Sequence, residues 1–219
     1  MCRNRPQHIH ASLQFRSFSN LLRTAACLTV LGLAFNADAQ TVDFSINTDR
    51  EVIQVGETVH VSVYAQDIRE VPLGIFSAYM DVAFPSEILE FVPESLTFGS
   101  HFGAIPSGDT VIPGLLNEIG SLTQGTLQDP PLPSTAGLEK DLFFAFDLQG
   151  KSVGTAVVAA EPADVLPLHS ITLNGLDDPI MPADVLFGQA AITVVPEPCS
   201  GLWPLIVGWH LACLSRRTL

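Results

Sequence analysis

Apolar and polar residues alternate with a period of two along much of the chain between Thr41 and Val195. Val42, Phe44 and Ile46 are separated by Asp43 and Ser45, the pattern of a half-buried strand. Over residues 58–65 the alternation is clean. Val59, Val61, Val63 and Ala65 fall on one side, and Thr58, His60, Ser62 and Tyr64 on the other, which predicts a strand with one wet face. Phe76, Ala78, Met80, Val82 and Phe84 mark a second apolar face, with Ser77, Tyr79 and Asp81 opposite. Leu142, Phe144, Phe146 and Leu148 mark a third.

Turn residues punctuate these runs. Val55-Gly56-Glu57 precedes the strand at residues 58–65, and Gly150 and Gly154 bracket a turn before the β-branched and small residues 155–160. Asn174-Gly175 is a tight-turn pair, and Gly188 introduces a last strand at residues 190–195. No helix-length segment with a 3.6-residue period separates the strands. The pattern therefore predicts an all-β antiparallel sandwich rather than an α/β sheet. Residues 99–138 differ, being rich in Gly, Pro, Ser and Thr, with Pro130-Pro131-Leu132-Pro133 near the end. There the prediction is of shorter strands, residues 117–123 among them, joined by long exposed loops. Residues 40–195 are read as one domain without internal repeats.

The order of these segments resembles a cohesin module. Val55-Gly56-Glu57-Thr58-Val59 matches the opening V-x-x-G-(D/E)-x-V only loosely, and Phe84-Pro85-Ser86-Glu87-Ile88-Leu89 stands where cohesins have a Y-D-P-x-x-L corner. The Phe-rich residues 142–148 before Gly154 match a late cohesin strand. The resemblance implies a jelly-roll-like sandwich of about nine strands and a protein-binding role, with a dockerin-like partner. It places Ser77, Tyr79 and Asp81 on the binding face of the third long strand, in positions where dockerin-binding members often carry Asn or Asp. Tyr64 is a further candidate on an outward face.

The two ends read as addresses. Four arginines up to Arg23 precede an uncharged apolar stretch, residues 24–35, and then Ala37-Asp38-Ala39 before Gln40. That is the order of a secretory signal peptide over residues 1–39, cleaved after Ala39. At the other end, Pro196-Glu197-Pro198 is followed by an apolar segment at residues 202–214 and by Arg216 and Arg217. Thirteen residues are short for a permanent span, which needs about 20. Residues 196–219 resemble the PEP-CTERM tail of exported bacterial envelope proteins. The resemblance implies recognition by a membrane-embedded exosortase-type enzyme, transient insertion of the tail, and a final location at the cell envelope or outside it.

Charge and cysteine usage sharpen the division. The whole chain carries −13, yet residues 40–195 hold only Arg50, Arg69, Lys140 and Lys151 against 21 carboxylates. Such a surface repels phosphate backbones and argues against nucleic acid as a partner. Cys2, Cys27, Cys199 and Cys213 all lie outside the domain, so neither a disulfide nor a thiol nucleophile belongs to it.

Candidate chemistry is sparse. There is no nucleophile elbow, phosphate loop or zinc-protease motif. His60, His101 and His169 are far apart in sequence, and a solvated role is the ordinary reading for His60. A glycosidase needs two carboxylates across a cleft, and no pair stands out among so many. Asp177, Asp178 and Asp184 are the candidates for a calcium loop, although their spacing fits no such loop and turn formation explains them. Trp203 and Trp209 lie in the tail, which leaves Tyr64 and Tyr79 as the ring platforms for sugar stacking. The expected function is a non-enzymatic, exported binding or scaffold module. The alternative is a carbohydrate-binding sandwich acting on extracellular polysaccharide.

Overall fold

The computed structural model describes residues 40–124, 135–166 and 168–198. The predicted signal peptide with Ala37 and Ala39, the apolar tail with Arg216 and Arg217, and the Pro130–Pro133 stretch lie outside these residues. In chain order the strands are β1 (Val42–Thr48), β2 (Val52–Gln54), β3 (Thr58–Asp67), β4 (Ile75–Ala83), β5 (Leu89–Phe91), β6 (Thr97–Phe98) and β7 (Ser107–Asp109). Then follow β8 (Leu115–Leu122), β9 (Asp141–Gly150), β10 (Gly154–Pro162), β11 (Thr172–Leu173), β12 (Val185–Phe187) and β13 (Gln189–Val195), with a 3-10 turn at Pro182–Asp184.

One sheet runs β12-β1-β3-β9-β5, with β6 also on β9. The other runs β2-β13-β10-β4-β8-β7, with β11 also on β4. Pairing is antiparallel except where β1 meets β12 and β2 meets β13. The all-β sandwich expected from the alternation is what forms. The strand count is corrected, from about nine to thirteen among the described residues. The extra strands are two or three residues long, where a corner pairs briefly with a sheet edge, and alternation cannot register over so short a span.

The inner faces of the two sheets make one core. Val59, Val61, Val63 and Ala65 of β3 are fully buried, as the alternation requires. A hydrogen bond from Glu57 N–H to the Gln54 carbonyl (3.0 Å) closes the turn into β3, with Gly56 at φ +86° in a conformation that glycine adopts without cost. In β9 the strict parity fails. Val63 pairs with Phe144 and Tyr64 with Leu142, so Phe143 is an extra residue in a bulge. It joins the core beside Phe144, against Phe44, Phe98 and Phe102. Each fully buried phenylalanine contributes about 1.5–3 kcal/mol of transfer free energy, and with no cysteine in the domain the core must supply the stability. Phe76 departs from its predicted core face and is 41% exposed, while Ile75 is fully buried. The cause is the end of β4, where the register against β11 shifts between Thr172 and Leu173.

The far end of β3 is clamped. Asp67 is 2% exposed, and its carboxylate accepts bonds from Arg69 Nε (2.9 Å) and Nη2 (2.7 Å), and from the N–H groups of Leu73 (2.9 Å) and Gly74 (3.0 Å). Arg69 Nη2 also reaches the Asn174 carbonyl (3.2 Å), which ties the β3–β4 connection to the Asn174-Gly175 turn. Burial works to raise the Asp67 carboxyl, and the bonds from Arg69, Leu73 and Gly74 outweigh it, so the group lies below its ordinary range.

Candidate functional site

Leu116 and Ile119 of β8 both point into the core, although three residues apart. A strand satisfies both only with a bulge. Accordingly the register against β4 shifts between Met80–Ile119 and Val82–Leu116, setting Asn117 and Glu118 against Asp81. Glu118 takes the left-handed conformation, φ 57°, which is uncommon outside glycine. Its N–H donates to Asp81 Oδ1 at 2.7 Å, and its side chain is buried on the outer face of the sheet.

That side chain captures the connection from β10 to β11. β10 pairs with β4 as far as Pro162 opposite Met80, and β11 rejoins β4 with Thr172 opposite Ser77. Between these points the chain crosses the sheet's outer face as a strap. Glu118 Oε1 accepts the N–H groups of Val165 (2.6 Å) and Leu166 (3.3 Å), and Oε2 lies 2.5 Å from His169 Nδ1. His169 stacks on Tyr79, with ring centroids 4.2 Å apart and planes 1° from parallel. Tyr79 lies flat because its partner on β8 is Gly120, where a side chain would come within 2.3 Å of the ring. Ser77 Oγ reaches Thr172 Oγ1 (2.7 Å) and donates to the Ser170 carbonyl (3.1 Å).

The expectation of an open face at Ser77, Tyr79 and Asp81 is therefore corrected. The three side chains do point away from the core, but the strap covers them, and they are 5%, 7% and 6% exposed. Burial pushes the Tyr79 phenol up. Burial likewise raises the Asp81 carboxyl, and the charges of Glu118, Asp164 and Glu161 add to that, against the lowering bond from the Glu118 N–H. Tyr64 stays on an outward face of the other sheet, half-buried, with Lys140 Nζ 5.0 Å from its ring centre.

Beside the strap lies a cavity of about 210 Å³. Tyr79, His169 and Asp164 line it, and Ile171, Ile180 and Phe187 contribute apolar wall. The strap exposes apolar side chains beside Asp164: Val165 and Leu166 are exposed, and Leu168 is 88% exposed. The other candidates do not assemble here. His60 pairs with Asp147 (2.7 Å) and His101 with Asp141 (2.6 Å), at separate half-exposed positions. Among the described residues no group of three His, Cys, Asp or Glu side chains is placed to hold a metal, and Asp177, Asp178 and Asp184 form no such group. Pro196, Glu197 and Pro198 are exposed, beyond the end of β13.

The fold is cohesin-like. The sixth cohesin of scaffoldin B from Acetivibrio cellulolyticus, solved in complex with a dockerin, matches with a TM-score of 0.51 at 20% identity, covering 71% of this chain and 100% of that one. A cohesin module of a family 33 glycoside hydrolase from Clostridium perfringens matches with a TM-score of 0.51 at 15% identity, covering 73% and 100%. The seventh ScaB type I cohesin from Pseudobacteroides cellulosolvens gives 0.50 at 14%, covering 74% and 96%. No protein-family profile matches the chain, and no curated protein does. At such identities the likeness is one of fold, on which many functions are carried.

Glu118 and the strap were not singled out from sequence. The spacing of Leu116 and Ile119 was the available sign, since an odd interval between core residues of one strand requires a bulge. A bulge is also where a sheet redirects a side chain.

Proposed function

We propose that this chain is an exported, non-enzymatic protein-binding module of the bacterial envelope, and that it docks its partner on the outer face of the β10-β4-β8 sheet. The observation that carries the reading is the strap on that face. Glu118 fixes it in place, and it presents exposed Val165, Leu166 and Leu168 beside a cavity. Apolar side chains held rigidly in solvent suit an interface. The Acetivibrio cohesin was solved with a dockerin, and a dockerin-like protein is the corresponding partner proposed for this chain. The polysaccharide alternative loses support, because the Tyr79 ring is covered by His169 and Lys140 stands over Tyr64.

Residues 1–39 act in this reading as the export signal and residues 196–219 as the sorting tail, processed by an exosortase-type enzyme at the exposed Pro196-Glu197-Pro198. Two measurements test the two parts. Intact mass from the native host should match a chain starting at Gln40 and ending near Pro198; a chain that keeps residues 1–39 would overturn export. Affinity capture from envelope extract should recover a protein whose binding is lost on Leu168→Asp. Capture that ignores this substitution would move the interface elsewhere.

A further inference from the structure

We infer that the cavity beside Tyr79 and His169 receives a basic side chain, lysine or arginine, presented by the partner; the inference rests on the protein-binding reading above.

Size is the first argument. At about 210 Å³ the cavity is smaller than the ~300–1,000 Å³ of sites for drug-sized ligands, and suits one long side chain. Wall chemistry is the second. Pro162, Ile171, Ile180 and Phe187 offer apolar surface for a methylene stem, and the His169 ring, stacked on Tyr79, also lines the cavity. Asp164 stands exposed at the lining.

Charge is the third argument. Asp164 lines the cavity, Glu118 and Glu161 lie near Asp81 behind it, and no lysine or arginine is among the lining residues. The four lysines and arginines among the described residues are engaged elsewhere. Arg69 is held by Asp67, Arg50 lies against Asp49 and Glu57, Lys140 over Tyr64, and Lys151 against the Ser86 carbonyl. An acidic side chain would meet repulsion here. A neutral apolar one would fill the wall and leave Asp164 without a counter-charge. A cation on a long stem satisfies both features at once.

The test is a nuclear magnetic resonance titration of the full chain with three probes: the N-acetyl methylamides of lysine, arginine and norleucine. The basic probes should give saturable shifts at the amides of Leu166, His169, Ile171 and Ile180, with norleucine about tenfold weaker. Asp164→Asn, at an exposed position, should weaken lysine and arginine about three- to fivefold and leave the unfolding midpoint unchanged. Raising the salt should weaken the basic probes and not norleucine. Norleucine binding as tightly as lysine, shifts that do not saturate, or indifference to Asp164→Asn would overturn the inference. A captured partner that ignores Asp164→Asn and does not compete with the arginine probe overturns it too, and leaves the binding module standing. Saturable lysine binding with no captured partner supports the pocket chemistry and counts against the module instead.

Discussion

Asp67 and Asp81 are both sealed from solvent, on long strands consecutive in sequence but in opposite sheets, and their surroundings oppose each other. Asp67 faces a guanidinium and two backbone donors, and its carboxyl is pushed down. Asp81 has one backbone donor, and burial first, then three further acids, push its carboxyl up. The first region is electrostatically complete and serves the fold, closing the β3–β4 connection. The second gathers Asp81, Glu118, Asp164 and Glu161, with His169 bonded to Glu118 and no lysine or arginine among the described residues lining the cavity beside it. A buried acid whose surroundings raise its carboxyl, next to a cavity, is a candidate functional group.

Substitutions should separate the two regions. The largest effect is expected at the completed one. Asp67→Ala strands Arg69 and the N–H groups of Leu73 and Gly74, and should cost about 3–5 kcal/mol of unfolding free energy in urea. Glu118→Ala comes next, at about 1.5–3 kcal/mol, because it removes the acceptor for Val165, Leu166 and His169. Its signature is local: amide exchange at Val165 and Leu166 should speed up more than exchange in β3 and β9. Uniform loss of protection would mean that the strap belongs to the global fold. Asp81→Asn keeps an oxygen for the Glu118 N–H and removes the unpaired charge, so it should stabilise at neutral pH by about 1 kcal/mol. A destabilised Asp81→Asn would break the comparison. His60→Ala removes only a half-exposed contact with Asp147 and should change stability by less than about 1 kcal/mol.

The pH dependence follows with opposite signs. Asp67 lies below its ordinary value in the fold, so the unfolded chain takes up its proton first. Its contribution is present above the unfolded value and is lost as pH falls through the folded one. Asp81 lies above its ordinary value, so the fold takes up that proton first. Its penalty is present at neutral pH and is relieved as pH falls through the folded value. In Asp81→Asn the gain measured at neutral pH should therefore shrink on acidification.

Much of the fold was legible in the sequence, and the site mostly was not. The period of two in β1 and β3 reads directly, because a fixed strand parity puts every second residue in the core. The turns at Gly56 and at Asn174-Gly175 read for a similarly local reason, since both glycines hold a positive φ. Phe76, Phe143 and Glu118 escaped because each sits where a bulge or register shift changes parity. Ser77, Tyr79 and Asp81 were rightly placed off the core face, but their cover arrives from residues 163–166 and 168–171, some 90 positions downstream. No local pattern carries that pairing. The Asp67–Arg69 clamp was equally silent, since an acid and a base two residues apart are ordinary on a surface, and only burial makes them a clamp.

The most direct measurement is a carboxyl-carbon titration of Asp67 and Asp81 by nuclear magnetic resonance in the folded chain. The account requires Asp67 to titrate below, and Asp81 above, the ordinary aspartate value of 3.8. Both groups moving to the same side of that value would contradict it, because the second region would then be as fully compensated as the first, or the first as open as the second.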